Sequence, residues 1–176
     1  MAQVIDISTL PGASQPSEDF ESLIARASQE LSSHDKKEWE EHRLGVYKRS
    51  LDGTVYNDII KQFYKDYRPY VERYARAQSW AGLTTKSISP LLVAAGTSVT
   101  LEGVHMVIPI RPGVAEEQTR VTYAPDTGKS KQLPWHTPSL LLGQITLLTH
   151  GSDVVLLLLK STTAGPDQVS ERQVKA

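Results

Sequence analysis

The sequence predicts an α+β protein in which about three N-terminal helices pack on a C-terminal antiparallel β-sheet or small β-sandwich. Three observations predict it. Of two phenylalanines, three tryptophans and seven tyrosines, all but Tyr123 and Trp135 lie before residue 82. Charged residues number 23 over residues 17–81 and 11 over residues 82–166. The longest apolar run, Val154-Val155-Leu156-Leu157-Leu158-Leu159, lies near the other end. Helical spacing first and short apolar runs afterwards is the pattern of segregated helices and strands.

The chain has 176 residues, enough to bury a core without staples. Composition divides it into four parts. Residues 1–16, with Pro11, Gly12, Ser14 and Pro16, predict a flexible N-terminal tail. Residues 17–82 form the helical region, and residues 83–160 form the β-rich region packed on it as one domain. Residues 161–176 predict a flexible C-terminal tail.

Ser17 opens the first helix. Glu18, Asp19 and Glu21 follow it, and acidic groups favour the positive end of a helix. Phe20, Leu23, Ile24, Ala27 and Leu31 then recur at helical spacing, which predicts a helix over 18–32. Asp35 with Glu38 three positions later resembles a capping box, so a second helix is predicted from Lys36 to near Ser50, burying Trp39, Val46 and Tyr47. Gly45 weakens it. Thr54 is positioned to cap a third helix. There Tyr56, Ile60, Phe63, Tyr67, Tyr70, Tyr74, Ala77 and Ala81 alternate steps of four and three, a heptad seam. Pro69 interrupts it. Because the seam keeps register across the proline, a kink in one rod is predicted rather than two helices.

Strands are predicted at Leu91–Ala95, Ser98–Glu102, Val104–Ile110, Thr119–Ala124, Leu140–Thr149 and Val154–Lys160. Val104, Met106, Ile108 and Ile110 alternate with their neighbours at period two. His150–Asp153 predicts a hairpin turn, and Asp126–Lys129 another. The last strand is apolar at consecutive positions, so both of its faces should be covered.

Several function classes are excluded. With no cysteine, there is no disulfide, thiolate metal site or cysteine nucleophile. A net charge of −1 argues against a dedicated nucleic-acid coat. The N-terminus lacks the basic and apolar regions of a secretory signal. No apolar run approaches the roughly 20 residues that span a bilayer. The expected location is cytoplasmic, or virion-associated if the protein is viral.

Candidate chemistry is sparse. Thr127-Gly128-Lys129-Ser130 ends like a phosphate-binding loop, but Tyr123 stands where the first glycine belongs, so ordinary turn chemistry is preferred. The histidines, His34, His42, His105, His136 and His150, form no pair at the i, i+4 spacing of a zinc hydrolase. There is no Gly-x-Ser-x-Gly elbow. No catalytic residue, metal ligand or cofactor is assigned.

The residues favour a non-enzymatic structural, assembly or adaptor protein, of the viral or phage matrix-like kind. It would self-associate or dock a protein partner through Tyr56, Ile60, Phe63, Tyr67, Tyr70 and Tyr74, since tyrosines suit interfaces wet at one end. The alternative is RNA or single-stranded nucleic-acid binding through Lys61, Lys65, Arg68, Arg73 and Arg76 between those tyrosines; it is not the favoured partner. A further alternative is a small enzyme with a site in the β half, drawn from His105, His136, His150 and Asp153.

Overall fold

The computed structural model describes residues 2–13, 15–32, 36–125 and 128–164. Three α-helices pack on two antiparallel sheets, as the sequence predicts. The helices are α1 (Glu18–Ser32), α2 (Val55–Asp66) and α3 (Arg68–Ala77). The strands are β1 (Gln3–Asp6), β2 (Glu40–Arg43), β3 (Val46–Lys48), β4 (Gly82–Val93), β5 (Ser98–Leu101), β6 (Val104–Ile110), β7 (Arg120–Tyr123), β8 (Lys131–Gln132), β9 (Ser139–Leu142), β10 (Ile145–His150) and β11 (Val154–Ala164). A seven-stranded sheet has the order β1-β9-β6-β11-β4-β3-β2, and a four-stranded sheet has the order β5-β10-β7-β8. From β4 onward the chain repeatedly changes sheets, the topology of a jelly roll.

The central strand is β11, paired with β4 on one side and β6 on the other. Val155, Leu157 and Leu159 face the helices, where they meet Phe20, Ile24, Ile59, Phe63 and Tyr67. Val154, Leu156 and Leu158 face the smaller sheet, where they meet Val99, Val121, Ile145 and Leu147. Both faces of the strand are therefore buried, as its unbroken apolar run predicts. The layer covering the face of Val155, Leu157 and Leu159 is the chain's own helices.

Helix α1 starts where the sequence places it. The Ser17 hydroxyl accepts the Phe20 amide at 3.1 Å, satisfying one donor of the first turn. Phe20, Ile24, Ala27 and Leu31 form its buried stripe. Thr54 holds the N-cap position of α2, yet its hydroxyl donates to Leu51 O at 2.8 Å instead of capping.

Several expectations are corrected. The single rod with a kink is two helices that meet at Tyr67 (φ −118°). The Tyr67 amide closes α2 on Phe63 O at 2.8 Å, while its carbonyl accepts Tyr70 and Val71 amides and opens α3. Pro69 falls in that first turn, where a missing amide costs nothing. After the break the buried stripe passes to Val71 and Ala75, and Ala77 and Ala81 are exposed.

The predicted second helix is a short 3-10 turn, Lys36–Glu38, followed by the β2–β3 hairpin. Gly45 turns that hairpin at φ +78°, and β3 pairs with β4 in the larger sheet. Asp35, its expected cap, lies outside the described residues. Residues 3–6, expected in a tail, are β1, held on β9 by antiparallel pairing. At the other end residues 161–164 continue β11, and residues 165–176 lie outside the described residues.

Leu140–Thr149 is not one strand, and His150–Asp153 is not a hairpin. β9 and β10 belong to different sheets, and so do β10 and β11. The chain leaves β9 at Gly143, whose amide and carbonyl exchange bonds of 3.0 and 3.1 Å with Gly103 at the β5–β6 corner. At the β10–β11 corner a Cβ on Gly151 would lie 2.7 Å from Thr119 Cα, so only glycine lets the two segments touch.

Truncating β11 should reach both layers. Leu157→Ala is expected to lower unfolding free energy by about 2–5 kcal/mol, measured by urea denaturation.

Candidate functional site

A cavity of about 850 Å³ lies beyond one end of the larger sheet. Three segments leaving that end build it. The loop after β6 brings Arg111, the loop before β9 brings Trp135 and His136, and α1 forms a wall through Phe20, Ile24 and Ser28. This size suits a small-molecule site.

Serines on α1 clamp the first loop. The Ser28 hydroxyl donates to Arg111 O at 2.6 Å, and its carbonyl accepts the Gly113 amide at 3.0 Å. Ser32 Oγ donates to Ser28 O at 3.1 Å and accepts the Val114 amide at 3.0 Å. The second loop is fixed from its other side. The His136 amide donates to Pro109 O at 2.8 Å, and Pro138 O accepts the Ile7 amide at 3.0 Å.

His136 is the chemically distinctive group. Its φ is +58°, the left-handed region that a side chain with a Cβ rarely adopts. Such strain persists only where surrounding bonds over-determine it, and it clusters at functional sites. Its Nε2 is buried without a hydrogen-bond partner. Burial, and then the nearby Arg111 charge, hold its pKa below the usual histidine value, so the ring is neutral near pH 7. The Arg111 guanidinium lies 5.9 Å from the Trp135 ring centre, a cation–π contact, and has no carboxylate partner among the described residues.

The other residues singled out from the sequence lie elsewhere. Tyr56, Ile60, Phe63 and Tyr67 are buried in the chain's own core. Burial pushes the Tyr56 and Tyr67 hydroxyls up to about 12. Tyr70 and Tyr74 are half-buried beside Arg73 and Trp80. Of the cations, Arg68 bonds Glu72 at 2.7 Å and covers Tyr64, Arg73 reaches Pro11 O, and Lys61, Lys65 and Arg76 are exposed. His150 Nε2 bonds Thr122 Oγ1 at 2.9 Å on the smaller sheet. Asp153 accepts the Ala95 amide at a corner. His105 is buried on β6 opposite Lys160 of β11, with Nδ1 unpartnered. Of the proposed β-half group only His136 lines the cavity. Arg111 and the α1 serines carry no local motif; the one sequence signal was a tryptophan and a histidine between Pro134 and Pro138.

No family model matches the chain, and no curated protein does. Solved structures do resemble it. A viral collagen prolyl hydroxylase from Paramecium Bursaria Chlorella virus-1, in complex with 2OG, aligns with TM-score 0.55 at 8% identity over 93% of this chain and 95% of that one. A prolyl hydroxylase from Trichoplax adhaerens, in complex with a hypoxia inducible factor peptide fragment, aligns with TM-score 0.55 at 11% identity over 96% and 86%. A 2OG-Fe(II) oxygenase family oxidoreductase from Burkholderia pseudomallei aligns with TM-score 0.50 at 10% identity over 81% and 80%. Identity this low establishes shared architecture only. It nevertheless overturns the expectation of a viral or phage matrix-like structural or assembly protein. The architecture is one that enzymes use, and most of the tyrosine ridge is spent inside the fold.

An oxygenase of this type holds iron with two histidines and one carboxylate. The described residues do not fit that group. Between the sheets, Val99, Leu101, Val121, Leu141, Ile145, Leu147, Leu156 and Leu158 form a continuous aliphatic core. The one imidazole on that face, His105, stands opposite the Lys160 cation, which with burial lowers its pKa and would repel a metal dication. No three histidine, aspartate or glutamate side chains come together among the described residues. Nor is any helix there long and apolar enough to cross a membrane.

Titration of purified protein with Fe(II) under anaerobic conditions, with 2-oxoglutarate present, is expected to give no stoichiometric binding by calorimetry. The histidines give a second expectation. The folded pKa values of His105 and His136 lie below the unfolded value of 6.5. The unfolded chain therefore binds more protons, and their contribution to stability falls as pH drops through 6.5 toward the folded values. Melting temperatures between pH 7.5 and 5.5 should decline, and His136→Asn should flatten the decline.

Proposed function

We propose that this chain is a small enzyme whose working site is the cleft between α1 and the Arg111 and Trp135–His136 loops. His136 transfers a proton to and from a bound small molecule. The single observation that carries this reading is the half-buried imidazole of His136, held at positive φ in the lining of a cavity of ligand size. A neutral ring near pH 7 has a lone pair available on one nitrogen, which accepts a proton from a bound donor and later returns it. Perturbed titratable groups in clefts are also where acid–base function concentrates.

Two further points support the reading. The fold is shared with proteins described as hydroxylases and an oxidoreductase. Among the described residues the core between the sheets is aliphatic and holds no cluster of metal-ligating side chains, which favours a site in the cleft.

The test is turnover in a mixed metabolite extract, followed by mass spectrometry. Wild-type protein should consume at least one small molecule. His136→Gln should slow that conversion by about 10²–10⁴-fold, the range for loss of a general base. Conversion that persists at the wild-type rate in His136→Gln, or no conversion by the wild type, defeats the proposal.

A further inference from the structure

We infer that the cleft takes a small anionic molecule, with one carboxylate or phosphate head seated on Arg111 beside the Trp135 ring and an uncharged body. This deepens the proposed function and rests on the same cleft.

Arg111 carries the inference. Its carbonyl is bonded by Ser28, and the two residues that follow Pro112 are bonded to the same helix, so the backbone beneath the side chain is fixed. The guanidinium rests near the Trp135 ring and meets no carboxylate among the described residues. Arg111 is exposed, and a planar fork left without a counter-ion matches carboxylate and phosphate geometry. Arg111 and His136 line the same cavity.

The opposite end of the cleft limits the ligand. Glu21 also lines it, seven residues before Ser28 on α1, or about 10 Å along the helix axis. A second negative group at that distance would face a carboxylate. One anionic head with an uncharged body suits both ends, and an extended dicarboxylate does not.

The experiment follows the Trp135 indole resonance by NMR, assigned with Trp135→Phe, during titration with five probes. These are benzoate, phenyl phosphate, benzyl alcohol, benzylammonium and glutarate. Benzoate or phenyl phosphate should bind at least tenfold more tightly than the other three, and whichever of the two is tighter identifies the head group. Arg111→Gln should weaken that binding at least tenfold without lowering the melting temperature, Arg111→Lys should restore part of it, and Arg76→Gln on exposed α3 should leave it unchanged. Equal binding of benzyl alcohol or benzylammonium, tighter binding of glutarate, or indifference to Arg111→Gln overturns the anionic head and leaves the cleft reading standing. If no probe perturbs Trp135 and the extract shows no turnover, both fall.

Discussion

Burial of both faces of β11 is the constraint on which the rest of the structure depends. Its odd-numbered residues 155, 157 and 159 supply the core under the helices, and its even-numbered residues 154, 156 and 158 supply the core between the sheets. A strand covered on both sides can have no polar face, which is why six apolar residues run together. Each neighbour follows from it. β4 and β6 complete its hydrogen bonds, the helices cover one side, and the smaller sheet covers the other. Burying one Leu or Val stabilises by about 1.5–3 kcal/mol, so this strand contributes to two layers at once.

The inner core sets a chemical limit as well. A buried metal ligand set must hold imidazoles and a carboxylate together, and their desolvation is offset only by the ion they bind. Aliphatic side chains at Val99, Leu101, Ile145 and Leu147 avoid that cost and pack densely. His105 and Ser139 are the polar residues left on that face of β6 and β9, each buried without a hydrogen-bond partner. The polar residues Arg111 and His136 stand instead in loops at strand ends.

Strand ends are where such chemistry is affordable in a jelly roll. The loops after β6 and before β9 leave one end of adjacent strands, so Arg111 and His136 are neighbours despite their separation in sequence. α1 then closes the third side, and its Ser28 and Ser32 convert a mobile connection into a fixed wall. Backbone strain at His136 is offset by the Pro109 bond and by the pairing of β1 with β9 next to it.

The sequence by itself determined the α+β class, the start of α1 at Ser17 and the two-faced burial of β11, because helical period, capping chemistry and apolar runs are local properties. It pointed to His136 only as one of four scattered candidates. It misplaced the segment from Lys36 to Ser50, since Asp35, Glu38 and three apolar residues resemble a helix until β3 finds β4. It favoured one rod across Pro69, since a heptad seam records spacing and not where Tyr67 must turn. Whether the tyrosine ridge met a partner or the chain itself was decided by the sheet that forms beneath it. The corners at Gly103 and Gly143 likewise assign consecutive strands to different sheets, through bonds between residues far apart in sequence. The cleft belongs to the same class of outcome: Arg111, Trp135, His136 and α1 meet only after long-range strand pairing has brought their loops to one end of the sheet.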